Sequence, residues 1–197
     1  MQKQIVAAFD FDRTLTTKET LVPFFISHWG YLLTYFKLLK IVPTLLGFVF
    51  GWSTRIQTKE AILNEFLKGV PMEAARQWGT AFVKNGIPYL LKPEMMQRLR
   101  WHQNQGHQCV LVSAGINVYL EQWCKQEKFN DLLCSRLNID KQGLLTGKLD
   151  GLNCWGPEKT KRLEELLGPR EGYELYAYGD SRGDQEMLAL ADHPFKV

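Results

Sequence analysis

The chain has 197 residues, 45% of them hydrophobic and 23% charged, with a formal net charge of +3. That composition is globular and excludes a disordered or fibrous chain, and the length suits one full core with an inserted subdomain. The basic residues form no long run, so no nucleic-acid partner is expected, and only weak attraction to phosphorylated or membrane ligands is implied.

Near the N-terminus, IVAAFDFDRTLT (residues 5–16) runs five β-compatible residues into two carboxylates one residue apart. The pattern predicts a buried parallel strand with acidic groups at its C-terminal end, where ligands bind in an open α/β sheet. Asp10 and Asp12 repel unless a cation sits between them. They are read as a Mg²⁺ site in which one aspartate doubles as a nucleophile; the competing reading is a pair of turn and cap residues.

Thr16 with Glu19 three residues on fits a capping box and predicts a helix start. Residues 21–52 are the most hydrophobic part of the chain, and Pro23, Gly30, Pro43, Gly47 and Gly51 are expected to break them into two or three short helices. The charge-free stretches before Lys37 and after Lys40 are shorter than the roughly 18 to 20 apolar residues of a transmembrane helix. This hairpin is expected either to pack on the protein or in a dimer, or to lie in a membrane surface, with Trp29, Tyr31, Tyr35, Trp52, Lys37 and Lys40 at the interface. A second capping box, Thr54 to Gln57, opens a helix with Ile62, Leu63, Phe66 and Leu67 on one stripe, and Pro71 opens another through about Val83. Residues 17–88 are thus read as an all-helical cap inserted after the first strand, between core segments 1–16 and 89–197.

From Lys92 strand and helix alternate. The expected order is a helix over 93–105, a strand over 108–112 ending at Ser113, a helix over 118–127 and a strand over 132–135. A hairpin of 137–139 with 144–149, a helix over 158–167, a strand over 174–179 and a last helix over 184–191 complete it. This order predicts an α/β fold with a Rossmann-like, doubly wound parallel sheet. Cys109, Cys124, Cys134 and Cys154 have no C-x-x-C spacing and are expected to be reduced, packed thiols. Asp10 and Asp12 interrupt the N-terminal apolar run before a signal sequence could form, so a cytoplasmic protein is expected.

Four polar clusters fall at corresponding places: Asp10 and Asp12 after one strand, Ser113 after a second, Lys159 opening a helix, and Asp180 with Asp184 after a further strand. Crossover topology brings all of them to one edge of the sheet. With DFDRTLT, LVSAG, Lys159 in GPEKTKRL and YGDSRGDQEML in this order, the sequence resembles the haloacid dehalogenase superfamily of phosphohydrolases, whose four motifs they match. The helical insert between the first two motifs resembles the phosphoserine-phosphatase-like subfamily IB. The apolar insert, GPEK and the fourth motif look closer to the phosphatidylglycerophosphatase C-like members of that branch.

The resemblance implies a Mg²⁺-dependent phosphomonoesterase. Asp10 is then the nucleophile that forms an aspartyl-phosphate, and Asp12 the general acid and base. Thr14 holds the phosphoryl group or orients Asp12, Ser113 and the backbone at Ala114 bind phosphoryl oxygens, and Lys159 neutralises charge. Asp10, Asp180 and the backbone carbonyl of Asp12 coordinate the metal, while Asp184 holds a metal-bound water or Lys159. Glu19 stands where phosphoserine phosphatases carry a glutamate for the substrate amine. No arginine occurs in AILNEFLKGV, where those enzymes clamp a carboxylate, and Arg13 and Gly183 replace a more usual small residue and Asn. The expected substrate is a lipid phosphate such as phosphatidylglycerophosphate, with peripheral contact at the inner membrane face. The alternatives are a phosphatase of a small soluble metabolite, phosphoserine-like, and a membrane-associated binding module on an inactive hydrolase fold. Oligomeric state stays open.

Overall fold

A computed structural model describes residues 3–197. The first strand, β1 (Gln4–Phe9), alternates its small and large apolar residues between two cores: Ala7 and Phe9 face one, Val6 and Ala8 the other, all fully buried. A strand buried on both faces belongs in the middle of a covered sheet. It pairs in parallel with β2 (Gln108–Ile116) on one side and β5 (Tyr173–Gly179) on the other. The six-stranded order is β4-β3-β2-β1-β5-β6, parallel except for β4 (Leu145–Asp150), which returns antiparallel to β3 (Asp131–Ile139).

Helices α5 (Pro93–Asn104) and α6 (Asn117–Gln126) supply Met95, Leu99, Leu120 and Trp123 to one core. Helices α7 (Pro157–Leu167) and α8 (Gln185–Leu190) supply Leu163 and Met187 to the other. The expected doubly wound α/β sheet is the one observed.

Between β1 and α5 lie four helices: α1 (Leu21–Lys40), α2 (Val42–Val49), α3 (Arg55–Leu67) and α4 (Met72–Asn85). Pro23 and Pro43 occupy first turns, where their missing N–H costs nothing. Gly30, at φ 72° and ψ 169°, breaks α1 in its middle. The Thr54–Gln57 capping box forms on α3 as expected. The Thr16–Glu19 box does not: Thr16 Oγ1 donates to the carbonyls of Phe11 and Lys18, Glu19 pairs with Arg13, and α1 starts only at Leu21. The tight loop at residues 11–15 takes the Thr16 hydroxyl that a cap would need.

The insert is tied to the core by a close backbone approach to α6 and by a side-chain hydrogen bond to β4. Gly79 of α4 lies where a Cβ would sit 2.0 Å from the Val118 carbonyl of α6, and Glu60 of α3 accepts from the Leu149 N–H of β4 at 3.0 Å.

Two strand expectations change. Residues 132–139 form one strand, with only a register shift between Leu137 and Ile139, so the strand and first hairpin arm are continuous. An unexpected short edge strand, β6 (His193–Lys196), pairs with β5 after a last helix shorter than expected. Mostly exposed and containing Pro194, it has no apolar alternation to announce it, and an edge is where a strand tolerates proline. All four cysteines are free and buried, as expected.

Candidate active site

The C-terminal ends of β1, β2 and β5 converge under α3 on a cavity of about 310 Å³. Asp10 follows β1 directly, its N–H donating to the Tyr178 carbonyl at 2.9 Å, and its side chain is 5% exposed. Both of its carboxylate oxygens are engaged: Lys159 Nζ donates to Oδ1 at 2.5 Å and Thr14 Oγ1 to Oδ2 at 3.0 Å. Lys159 also donates to Asp184 Oδ1 at 2.6 Å, and this lysine, 2% exposed, sits between two buried carboxylates that raise its pKa against the effect of burial. For the Asp10 carboxyl, burial dominates: it is pushed up to about 6, with Lys159 pulling the other way.

Asp12 is turned to the insert side of the site. Its Oδ1 accepts from the Thr20 N–H at 2.8 Å and the Thr20 hydroxyl at 2.6 Å, and that hydroxyl lies 3.0 Å from the Tyr119 OH. Burial pushes its pKa up to about 7, and the charges of Glu19 and Asp10 act in the same sense. The loop that aims it carries Arg13 at φ 62°, a backbone conformation uncommon for a side-chain-bearing residue, with Lys92 Nζ donating to the Arg13 carbonyl at 2.5 Å.

Asp10, Asp180 and Asp184 each offer an oxygen within 4.8 Å of the others. Among the described residues no side chain donates to Asp180, whose pKa is raised by burial and by Asp184. Three carboxylates with hard oxygen donors and one left without a donor fit Mg²⁺. The side chain of Asp12 is not in this group; of the two N-terminal carboxylates only Asp10 joins Asp180 and Asp184. Thr20 holds the Asp12 carboxylate elsewhere.

Ser113, fully buried, accepts from the Gly115 N–H at 2.9 Å, and the residues after it, Ala114, Gly115 and Ile116, line the cavity. Thr14, which the resemblance ties to the phosphoryl group or to Asp12, donates its hydroxyl to Asp10 Oδ2 at 3.0 Å. Glu19 lines the cavity while paired with Arg13 at 3.4 Å, both side chains largely exposed.

Three participants were not singled out from the sequence. Lys59 of α3 reaches across to donate to the Ala114 carbonyl and to Asn153 Oδ1 at 2.8 Å, and burial lowers its pKa to about 8. The signal was legible: Lys59 precedes Ile62, Leu63 and Phe66 at helical spacing, placing a cation at the head of an apolar stripe. Arg55, one turn earlier, lies with its guanidinium 4.3 Å from the Trp155 ring and 5.4 Å from that of Phe48. The insert therefore does bring an arginine to the cavity, from outside the stretch AILNEFLKGV. Trp155 also explains Gly183, where a Cβ would fall 2.3 Å from the indole Nε1. The indole occupies the space of a larger residue there.

The sequence profile of the haloacid dehalogenase-like hydrolase family matches residues 7–189. Protein CicA of Caulobacter vibrioides is 34% identical over 188 residues, covering 95% of this chain and 83% of CicA. Among solved structures, a protein of unknown function from Bordetella pertussis Tohama I superposes with a TM-score of 0.79 at 22% identity, covering 95% of this chain and 87% of its own. A phosphoserine phosphatase captured as a phospho-aspartyl intermediate analogue superposes with a TM-score of 0.62 at 19% identity, over 96% of this chain and 84% of its own. At these identities the structural likenesses speak for the fold.

Proposed function

Since the chain belongs to the haloacid dehalogenase-like hydrolase family, we propose that it is a Mg²⁺-dependent phosphomonoester hydrolase that works through an aspartyl-phosphate on Asp10, with an amphiphilic lipid phosphate as substrate. The observation that carries the reaction is the junction at Asp10, where a buried carboxylate is held by Lys159 and Thr14 beside a three-carboxylate cluster.

Asp10 attacks phosphorus in line with the leaving oxygen. The new Oδ–P bond forms as the ester P–O bond breaks, and Asp12 hands its proton to the departing oxygen. Thr20 occupies Asp12 Oδ1, which leaves Oδ2 for this transfer. Asp12 then takes a proton from water as the water oxygen attacks phosphorus, the Oδ–P bond breaks and phosphate leaves. Ser113 and the backbone beyond it hold the phosphoryl oxygens, and Lys159 balances charge on Asp10. Asp10, Asp180 and the Asp12 backbone carbonyl would hold Mg²⁺, with Asp184 fixing Lys159. The ion supplies charge neutralisation at the phosphoryl oxygens. The α1–α4 insert acts as the cap that shields this chemistry from bulk water.

The lipid reading is supported by Phe48, which lines the cavity and is also 37% exposed on the apolar outer hairpin, so a chain leaving the cavity meets apolar surface. A second reading, a small soluble phosphoester of the phosphoserine type, is favoured by the phosphoserine phosphatase fold neighbour and by Arg55, which supplies a cation for a carboxylate. Mg²⁺-dependent phosphate release from phosphatidylglycerophosphate in mixed micelles, beside phosphoserine and an aryl phosphate, separates them. The lipid reading expects the lipid to be preferred in kcat/KM. Preference for phosphoserine overturns it, and silence on all three leaves a binding module on a hydrolase fold.

A further inference from the structure

The two halves of α1 differ in a way the catalytic reading does not use. Before Gly30, Phe24 and Phe25 are fully buried. After it, Tyr31, Leu32, Tyr35, Phe36 and Leu39 are all more than half exposed, at spacings that put them on one helical stripe. The stripe continues onto Leu46, Val49 and Phe50 of α2 and onto Trp52, which is 84% exposed. Single exposed apolar residues need no explanation; a contiguous patch of large ones does.

We propose that this outer face, 31–52, docks on the surface of an anionic phospholipid bilayer and lies in the plane of its interface. Three observations select this occupant. Between Glu19 and Glu60 the sequence holds no acidic residue, and the 31–52 segment carries Lys37 and Lys40 as its only charges. Glu65 pairs with Lys37 and Lys40 from the neighbouring helix, so the charge presented outward is modest, yet Lys40 stays half exposed over the ring of Phe36. A cation beside aromatic rings at the edge of an apolar face suits headgroups.

Secondly, the face is continuous with the cavity through Phe48, which a bilayer uses and a soluble partner has no reason to need. Thirdly, the bend at Ile41 and the buried first half of α1 favour a face that lies in the interface over a straight span. No single helix among the described residues is long and apolar enough to span. The pair α1 and α2 qualifies only together and is bent by 61°, with its first half packed in the core.

The inference deepens the lipid-phosphate reading, but its test does not use lipid turnover, so the two fail separately. Full-length protein is sedimented with vesicles of phosphatidylglycerol and phosphatidylcholine, and with phosphatidylcholine alone. The expected result is binding to the anionic vesicles that weakens with salt. Leu32→Glu with Val49→Glu should reduce that binding at least tenfold while thermal melting and aryl-phosphate turnover stay as in wild type. Brominated acyl chains should quench native tryptophan fluorescence, and Trp52→Phe should remove most of the quenching, a readout that does not depend on the charged variant folding. Wild type that ignores anionic vesicles overturns the proposal. So does binding untouched by the double substitution, or a dimer in solution that the double substitution dissociates without vesicle binding in either form.

Discussion

At the C-terminal edge of the sheet, Asp10, Lys159 and Asp184 are almost wholly buried and each is held by at least two polar contacts. On the outer hairpin, Leu32, Val49 and Trp52 are three-quarters or more exposed, with no core to hold them. The ordinary rule is inverted at both places: charges lie inside and apolar groups outside. Burying charge is costly unless it is paired, and exposing a large apolar patch forgoes its burial, so neither arrangement follows from folding alone. The first region holds a buried carboxylate in one geometry, and the second leaves a large apolar surface facing solvent.

Breaking the first region should have the largest effect. Lys159→Met leaves Asp10 and Asp184 facing each other without their cation. Phosphate release should fall by about 10³-fold or more, and the loss of a buried partner should cost about 3–5 kcal/mol, roughly 10 °C in melting temperature for a chain of this size. Turnover near wild type would mean that the pair is structural. The second region is tested by a matched pair of substitutions on α1. Phe25→Ala, in the core stacked on Phe66 at 4.1 Å, should cost about 3–5 kcal/mol, whereas Leu32→Ala should stay within about 0.5 kcal/mol in urea unfolding without lipid. Equal costs would show that the hairpin is packed after all.

The smallest effect lies where α3 meets the catalytic edge. Lys59 connects the insert to the sheet at Ala114 and Asn153, and burial lowers its pKa from 10.5 to about 8. Its charge is therefore present below about pH 8 and lost above it. KM for a phosphomonoester should rise by up to about tenfold as the pH goes from 7 to 9, and Lys59→Arg, which stays charged, should flatten that rise. A KM profile that is the same in both proteins would remove Lys59 from substrate binding.

Much of this was legible in the chain. The strands that run into Asp10, through Ser113 and up to Gly179 are apolar runs that meet small or acidic residues, so periodicity and strand-end chemistry place them together, although β2 continues to Ile116 rather than stopping at Ser113. What escaped has physical reasons. The helix start at Leu21 was misplaced because Thr16 and Glu19 have the spacing of a capping box, and only the folded loop shows their partners to be Phe11, Lys18 and Arg13. The turn of the Asp12 carboxylate onto Thr20 is a side-chain choice eight residues away, invisible to local pattern. Strand β6 borrows its order from β5. Arg55, Lys59 and Trp155 meet only because α3 folds over a loop far along the chain.

The central claim is that Asp10 becomes covalently phosphorylated. The direct measurement is mass spectrometry of protein quenched in acid during turnover of an aryl phosphate with Mg²⁺, with Asp10→Asn as the blank. The expected result is a mass increment of one phosphoryl group on the peptide containing Asp10, removed by hydroxylamine and absent from the variant. Steady turnover with no phosphorylated peptide, or the increment on another residue, would contradict it.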